Sequence, residues 1–318
     1  MTQAVPKTAG RVMLLGATGS IGRAVLAELV RTGHDVIAPI RAGSKAAGIP
    51  CDFTSDALSS LLSEYPCDAV ISCLASRSGA PEDAWAVDHA LNSRVLTAAL
   101  QAGVPRFVLL SAICVQKPKL AFQQAKLAFE AELQAAPLDW TIVRPTAFFK
   151  SLSGQVARLK AGKPFLVFGD GALTACKPIS DADLARFMVG CLTRPETTGQ
   201  ILPIGGPGPA LTPLEQGQLL FKALGLPPKF RHVPPAILSF IIALISGLGL
   251  ISRSARAKAE LAKIGRYYAT ESMLVWDHHT QSYDAQATPE FGSDTLADHY
   301  RDLVQNDRPD DRGAHAVF

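Results

Sequence analysis

The stretch Arg11-Val12-Met13-Leu14-Leu15-Gly16-Ala17-Thr18-Gly19-Ser20-Ile21-Gly22 decides the fold. A short apolar run of strand type breaks at Gly16 and passes into a helical pattern over Ser20–Arg31. Glycines at 16, 19 and 22 give a G-x-x-G-x-x-G turn. Without Cβ atoms, backbone N–H groups come close to a pyrophosphate, and the helix N-terminus aims its partial positive charge at it. Such a spacing is weak evidence when it stands alone. Here a strand precedes it, a helix follows, and a second strand reads at Asp35–Ile40 after a stop at Gly33, the setting a dinucleotide requires. Gly16, Thr18, Gly19, Ser20, Ile21 and Gly22 are the contact candidates.

Working outward, strand and helix signals keep alternating. Ala69–Leu74 and Phe107–Leu110 are apolar runs of the buried parallel type. Pro81–Ala102 carries helical periodicity and stops at Gly103. Gln123–Ala136 reads as a second strong helix, and Trp140–Val143 as a strand closed by Arg144-Pro145. This alternation predicts an α/β protein with a Rossmann-like, doubly wound parallel sheet over residues 1–150. Beyond 150, Pro and Gly become frequent, and 151–318 reads as a smaller C-terminal substrate lobe, partly interleaved with the sheet. In that lobe Thr212-Pro213-Leu214-Glu215 combines an N-cap, a first-position proline and a capping-box glutamate. From about 306 the charged tail reads as frayed.

The 318 residues are 48% hydrophobic and 19% charged, with a net charge of +3. That balance argues against a general nucleic-acid binder. Six scattered cysteines without a C-x-x-C pair read as reduced thiols. No set of side chains reads as a metal site. Ten residues precede the first strand, too few for a signal or transit peptide, so a cytoplasmic location is expected. Ala236–Ile251 is uncharged over 16 residues, short of the ~20 that span a bilayer. It reads as a packing helix, or as an apolar wall or peripheral membrane contact continued by Arg253, Arg256 and Lys258 across 236–258.

The end of the second strand selects the dinucleotide. An acid there would bind the ribose 2′-hydroxyl of NAD; this chain has Arg41, with Lys45 close behind and Arg23 near the turn. A guanidinium suits the 2′-phosphate, so the reading is NADPH. Asp52 is a candidate for the adenine amino group or, equally, for capping the next helix. Ala75, Ser76 and Ser111 follow strands at the edge that faces the nicotinamide.

Short-chain dehydrogenases carry a Tyr and, four residues later, a Lys on one helix face. Here Phe122 and Lys126 occupy that spacing: the lysine is present and the hydroxyl is not. An unpaired buried ammonium is costly, so Lys126 on an apolar face asks for a role. Loss of the Tyr argues against carbonyl chemistry. It leaves two routes, no catalysis or hydride addition to a C=C conjugated with a large π-system, whose spread charge a nearby cation would stabilise.

Several irregular runs carry a resemblance: Leu110–Pro118, Val143–Val156, Phe168–Gly171 with Cys176–Ser180, Leu202–Gly208, Leu211–Gly217 and Ile264–Ala269. They resemble the divinyl chlorophyllide a 8-vinyl-reductase family, atypical short-chain dehydrogenases, over about residues 10–300. The resemblance implies NADPH-dependent reduction of the 8-vinyl group of 3,8-divinyl chlorophyllide a to ethyl. It also implies a chlorophyllide-type tetrapyrrole as partner and, with no transit peptide, a phototrophic bacterium as source. Lys126, Ser111 and Cys114 are the catalytic candidates, and Arg144 joins Lys126 beside the cofactor. Phe122, Phe148, Phe149 and Lys150 are the substrate candidates. Cys114, Tyr267, Tyr268 and solvent stay open as proton donors, and Lys117, Arg144, Lys150 and Lys177 as partners of a substrate carboxylate. The competing readings are a non-catalytic NADP-binding regulator or assembly factor, and a reductase of another conjugated alkene.

Overall fold

The computed structural model describes residues 10–237, 242 and 253–306. Most of the apolar run at 236–251, the side chains of Arg253, Arg256 and Lys258, and the tail beyond 306 lie outside the described residues. The main sheet contains β1 (Arg11–Leu15), β2 (Asp35–Ile37), β5 (Ala69–Ser72), β6 (Arg106–Leu110), β7 (Asp139–Pro145) and β9 (Gln200–Ile204) in the order β2-β1-β5-β6-β7-β9. Every pairing is parallel. The expected second strand is split at Ala38. Its continuation β3 (Pro39–Arg41) pairs with β4 (Ile49–Cys51) in a separate two-stranded sheet.

Both faces of the sheet are covered, which is why its strands read as continuous apolar runs. Along β1, Val12 and Leu14 pack on one face with α1 (Ser20–Arg31) and α8 (Asp181–Gly190). Met13 and Leu15 pack on the other with α2 (Ser55–Glu64), α4 (Asn92–Gln101) and α5 (Ala121–Ala135). Both α8 and β9 lie beyond residue 150, so the main sheet draws on both halves of the sequence. A separate core gathers Phe149, Val156, Phe165, Leu220, Phe221, Leu296 and Tyr300. It joins the two-stranded β8 (Phe165–Phe168) and β10 (Phe230–Val233) to α9 (Pro213–Leu224) and the helix Leu296–Gln305. The Thr212–Glu215 capping box forms as its sequence predicts.

The helix expected over Pro81–Ala102 is present but not regular. A short α3 (Pro81–Ala84) runs into a π-helical segment, Trp85–Leu91, before α4 begins. The wide turn is fastened from within. The Asn92 side-chain amide donates to the carbonyls of Val87 and Asp88 at 3.3 and 3.1 Å, and the Ser72 hydroxyl donates to Asn92 Oδ1 at 2.6 Å.

Candidate active site

The chain leaves β1 toward β2 on one side and places β5 on the other, so a crevice opens at the carboxyl ends of β1 and β5. The glycine turn fills its floor. Gly16 has φ +75°, and a Cβ there would lie 2.6 Å from the Cys73 carbonyl oxygen. A Cβ on Gly22 would lie 2.0 Å from the Gly16 oxygen. Packing of turn against strand therefore accounts for both. Gly19 is different: its φ is −75°, and a Cβ would meet only the Gly16 oxygen at 3.4 Å. The protein's own packing does not require glycine there, and the space beside it is open to a ligand lying against the turn. The first turn of α1 carries no acidic side chain, and its N-cap Gly19 offers no capping group, so the leading N–H groups face an incoming anion. These residues fit a dinucleotide pyrophosphate.

Two cations stand at this end. Arg23 donates to the Thr18 carbonyl at 2.9 Å. Lys150 reaches from beyond β7 to place Nζ 3.2 Å from Ser20 Oγ. Lys150 thus sits at the glycine turn, not in the substrate wall expected of it. Burial raises the Asp181 carboxyl, with Lys150 and then Arg23 acting against the rise. Arg41 is exposed at the rim where β3 ends. Asp52 accepts from the N–H and hydroxyl of Thr54, which is the actual N-cap of α2. Those two hydrogen bonds hold the Asp52 carboxyl below its ordinary range.

On α5, Lys126 is largely buried, its side chain 11% exposed, and its Nζ lies 2.9 Å from Asp88 Oδ1. Asp88 comes from the π-helical turn and is 1% exposed on its side chain. Its Oδ2 accepts from the Ser76 N–H at 3.2 Å, whereas Oδ1 has no aligned hydrogen-bond donor. The Lys126 contact is close in distance but off the hydrogen-bonding direction. The sequence reading missed Asp88. Its signal was a buried lysine that needed a counter-charge.

Ser111 and Arg144 are placed differently from expectation. The Ser111 hydroxyl donates to Glu130, and Arg144 binds Glu130 through Nε and Nη2. Glu130 is buried on α5, so this network ties β6 and β7 to the helix. In this structure both Ser111 and Arg144 bind Glu130. Phe149, 4% exposed, packs into the second core against His299. Phe148 packs on the main core beside α1 and α8. Burial removes Phe149 from the candidate substrate wall, whereas Phe148 is only partly buried. Lys177 pairs with Glu290, and Lys117 pairs with Glu271 while lying 3.9 Å from the Trp276 ring centroid.

Phe122 belongs to an apolar wall with Ile113, Cys114, Leu120, Ile264, Tyr267 and Tyr268. Tyr267 donates to the carbonyls of Cys114 and Lys117 at 2.8 and 3.1 Å, which makes it a strut. Tyr268 is partly accessible, and its hydroxyl lies 3.9 Å from Cys114 Sγ. Burial pushes the Tyr268 phenol well up and raises the Cys114 thiol. Cys73, at the end of β5, is pushed up by burial to about 12, yet keeps accessible surface. All six cysteines are free. Among the described residues no group of three His, Cys, Asp or Glu side chains is placed to hold a metal.

A parallel sheet with this glycine turn at its switch point, and a lysine on the helix beside it, defines an NAD(P)H-binding protein of the short-chain dehydrogenase type. A family model described as NAD(P)H-binding matches residues 16–195. The fold of a UDP-glucose 4-epimerase from Thermotoga maritima matches with a TM-score of 0.65, covering 93% of this chain and 97% of that one at 14% identity. Divinyl chlorophyllide a 8-vinyl-reductase, chloroplastic, of Arabidopsis thaliana is 46% identical over 319 residues, 92% of this chain and 76% of its own. Photosystem II assembly factor Ycf39 of Synechocystis is 27% identical over 247 residues, 73% of each chain. The chain belongs to the divinyl chlorophyllide a 8-vinyl-reductase family.

Proposed function

We propose that the chain reduces the 8-vinyl group of 3,8-divinyl chlorophyllide a to ethyl with NADPH. The observation that carries this reading is identity spread over 92% of the chain with a reductase named for that substrate. The site agrees with it in kind. NADPH, when bound, supplies the hydride. In this reading Lys126 is the cation that stabilises the negative charge spread through the macrocycle as the hydride adds, an effect that is larger where water is excluded. Phe122 has no proton to give, and its ring extends the apolar wall. Cys114 and Tyr268 hold their protons, since burial disfavours both anions. One proton on the second vinyl carbon balances the addition, and these two groups are the cleft's candidates to pass it.

The glycine turn with Lys150 takes the pyrophosphate in this reading, and Arg41 takes the 2′-phosphate. Titration should give tighter binding of NADPH than of NADH; the reverse order would remove Arg41 from that role. Among the described residues no helix is long and apolar enough to cross a membrane. Peripheral contact of 236–258 with a photosynthetic membrane in a phototroph belongs to the same proposal, supported by that segment's composition.

Mixing the protein with NADPH and divinyl chlorophyllide a should shift the Soret band to the blue as vinyl becomes ethyl. Folded protein that binds NADPH and leaves the band unmoved would overturn the assignment. That result would favour the second reading, a non-catalytic NADP-binding assembly factor, which the missing tyrosine and the 27% identical Ycf39 support.

A further inference from the structure

We infer that Asp88 is a positioning residue of the reductase site, acting through Lys126. The inference rests on the reading of Lys126 as that site's cation. Three observations bring it together. Asp88 is buried and faces Lys126 Nζ at 2.9 Å. Its Oδ1 has no aligned hydrogen-bond donor, so it is the charge of that ammonium that balances it. And the carboxylate is delivered by a π-helical turn, Trp85–Leu91, which Asn92 and Ser72 hold open. Such turns are rare and recur at functional sites.

Together they describe a cation held by charge and not by directed hydrogen bonds. Asp88 fixes where the Lys126 ammonium sits, while its N–H groups stay free to turn toward a ligand. Those hydrogens are then available to a cofactor hydroxyl or to the anionic face of a reduced macrocycle. The Ser76 N–H, bound to Asp88 Oδ2, ties the arrangement to the loop that follows β5. A structural ion pair would be expected to satisfy both partners, as buried pairs generally must.

Four proteins test this: the wild type, Asp88→Asn, Lys126→Met and the double variant. In NADPH titrations followed by fluorescence, each single change should weaken binding about tenfold, and the double variant should bind no more weakly than Lys126→Met alone. Turnover of divinyl chlorophyllide a should show the same non-additive pattern in kcat. In thermal melts without cofactor, Lys126→Met should lower Tm by stranding the Asp88 carboxylate, and adding Asp88→Asn should restore part of the loss. NADPH affinity in either single variant equal to the wild type's, or losses that multiply in the double variant, would overturn the inference. A wild type that never turns over the tetrapyrrole, alongside coupled NADPH affinities, would sink the proposed substrate and leave the role of Asp88 standing.

Discussion

Glu130 and Asp88 are both buried carboxylates facing a cation near the carboxyl edge of the sheet, and they are bonded in opposite ways. Glu130 takes the Ser111 hydroxyl and two nitrogens of Arg144. Asp88 takes a backbone N–H on one oxygen and, on the other, a lysine that is near but misaligned. Lys126 and Glu130 are four residues apart on α5, so the same helix face carries a locked pair and a loose one. The locked pair fixes the helix to two strands. The loose pair leaves a charged group adjustable at the point where chemistry is proposed.

The largest test strikes the locked pair. Glu130→Ala strands the largely buried Arg144 guanidinium and should cost about 3–5 kcal/mol of stability in urea denaturation. Turnover per folded molecule should stay within about twofold of wild type. A loss of turnover with stability intact would break the distinction between the two pairs. Next comes the loose pair: Lys126→Met should lower kcat about 100-fold, or ~2.7 kcal/mol, while most of the protein remains folded. An unchanged rate would remove Lys126 from the mechanism.

A third cation sharpens the contrast at the other end of the cleft. Lys150→Ala should weaken NADPH binding about tenfold, or ~1.4 kcal/mol, in a fluorescence titration. Unchanged affinity would mean that Lys150 merely covers Ser20. The smallest effect is expected of Ser111→Ala, which removes one hydroxyl donor from Glu130 and should lower stability by about 1 kcal/mol in a thermal melt. A tenfold fall in turnover at unchanged stability would return Ser111 to the catalytic set.

Much of the fold was legible because its signals are local. The β1 run, the glycine turn and the Thr212 cap are fixed by a few adjacent residues, and each appears where its residues predict it. Lys126 was legible too, as a charge on an apolar helix face. Its partner was not. Glu130 lies at the i+4 position that helix geometry favours, yet it binds Arg144, and the counter-charge comes from Asp88, 38 residues earlier in the sequence. Nothing within Trp85–Leu91 announces a π turn, because the turn is held by Asn92, the residue after it, and by Ser72 on β5. Phe148, Phe149 and Lys150 misled for a related reason. They are consecutive, but they turn to the main core, to the second core and to the glycine turn respectively.

The wide turn at 85–91 also bears on how this chain tolerates changes in length. A π segment holds more residues than an α segment of the same span, so deletion of one residue there would leave a regular helix that folds comfortably. It would also remove the wide turn that carries Asp88 to Lys126. Asp88 would leave Lys126, and the protein would lose its grip on the lysine without losing its shape. Length across 85–91 is therefore as much a part of the site as any side chain in it.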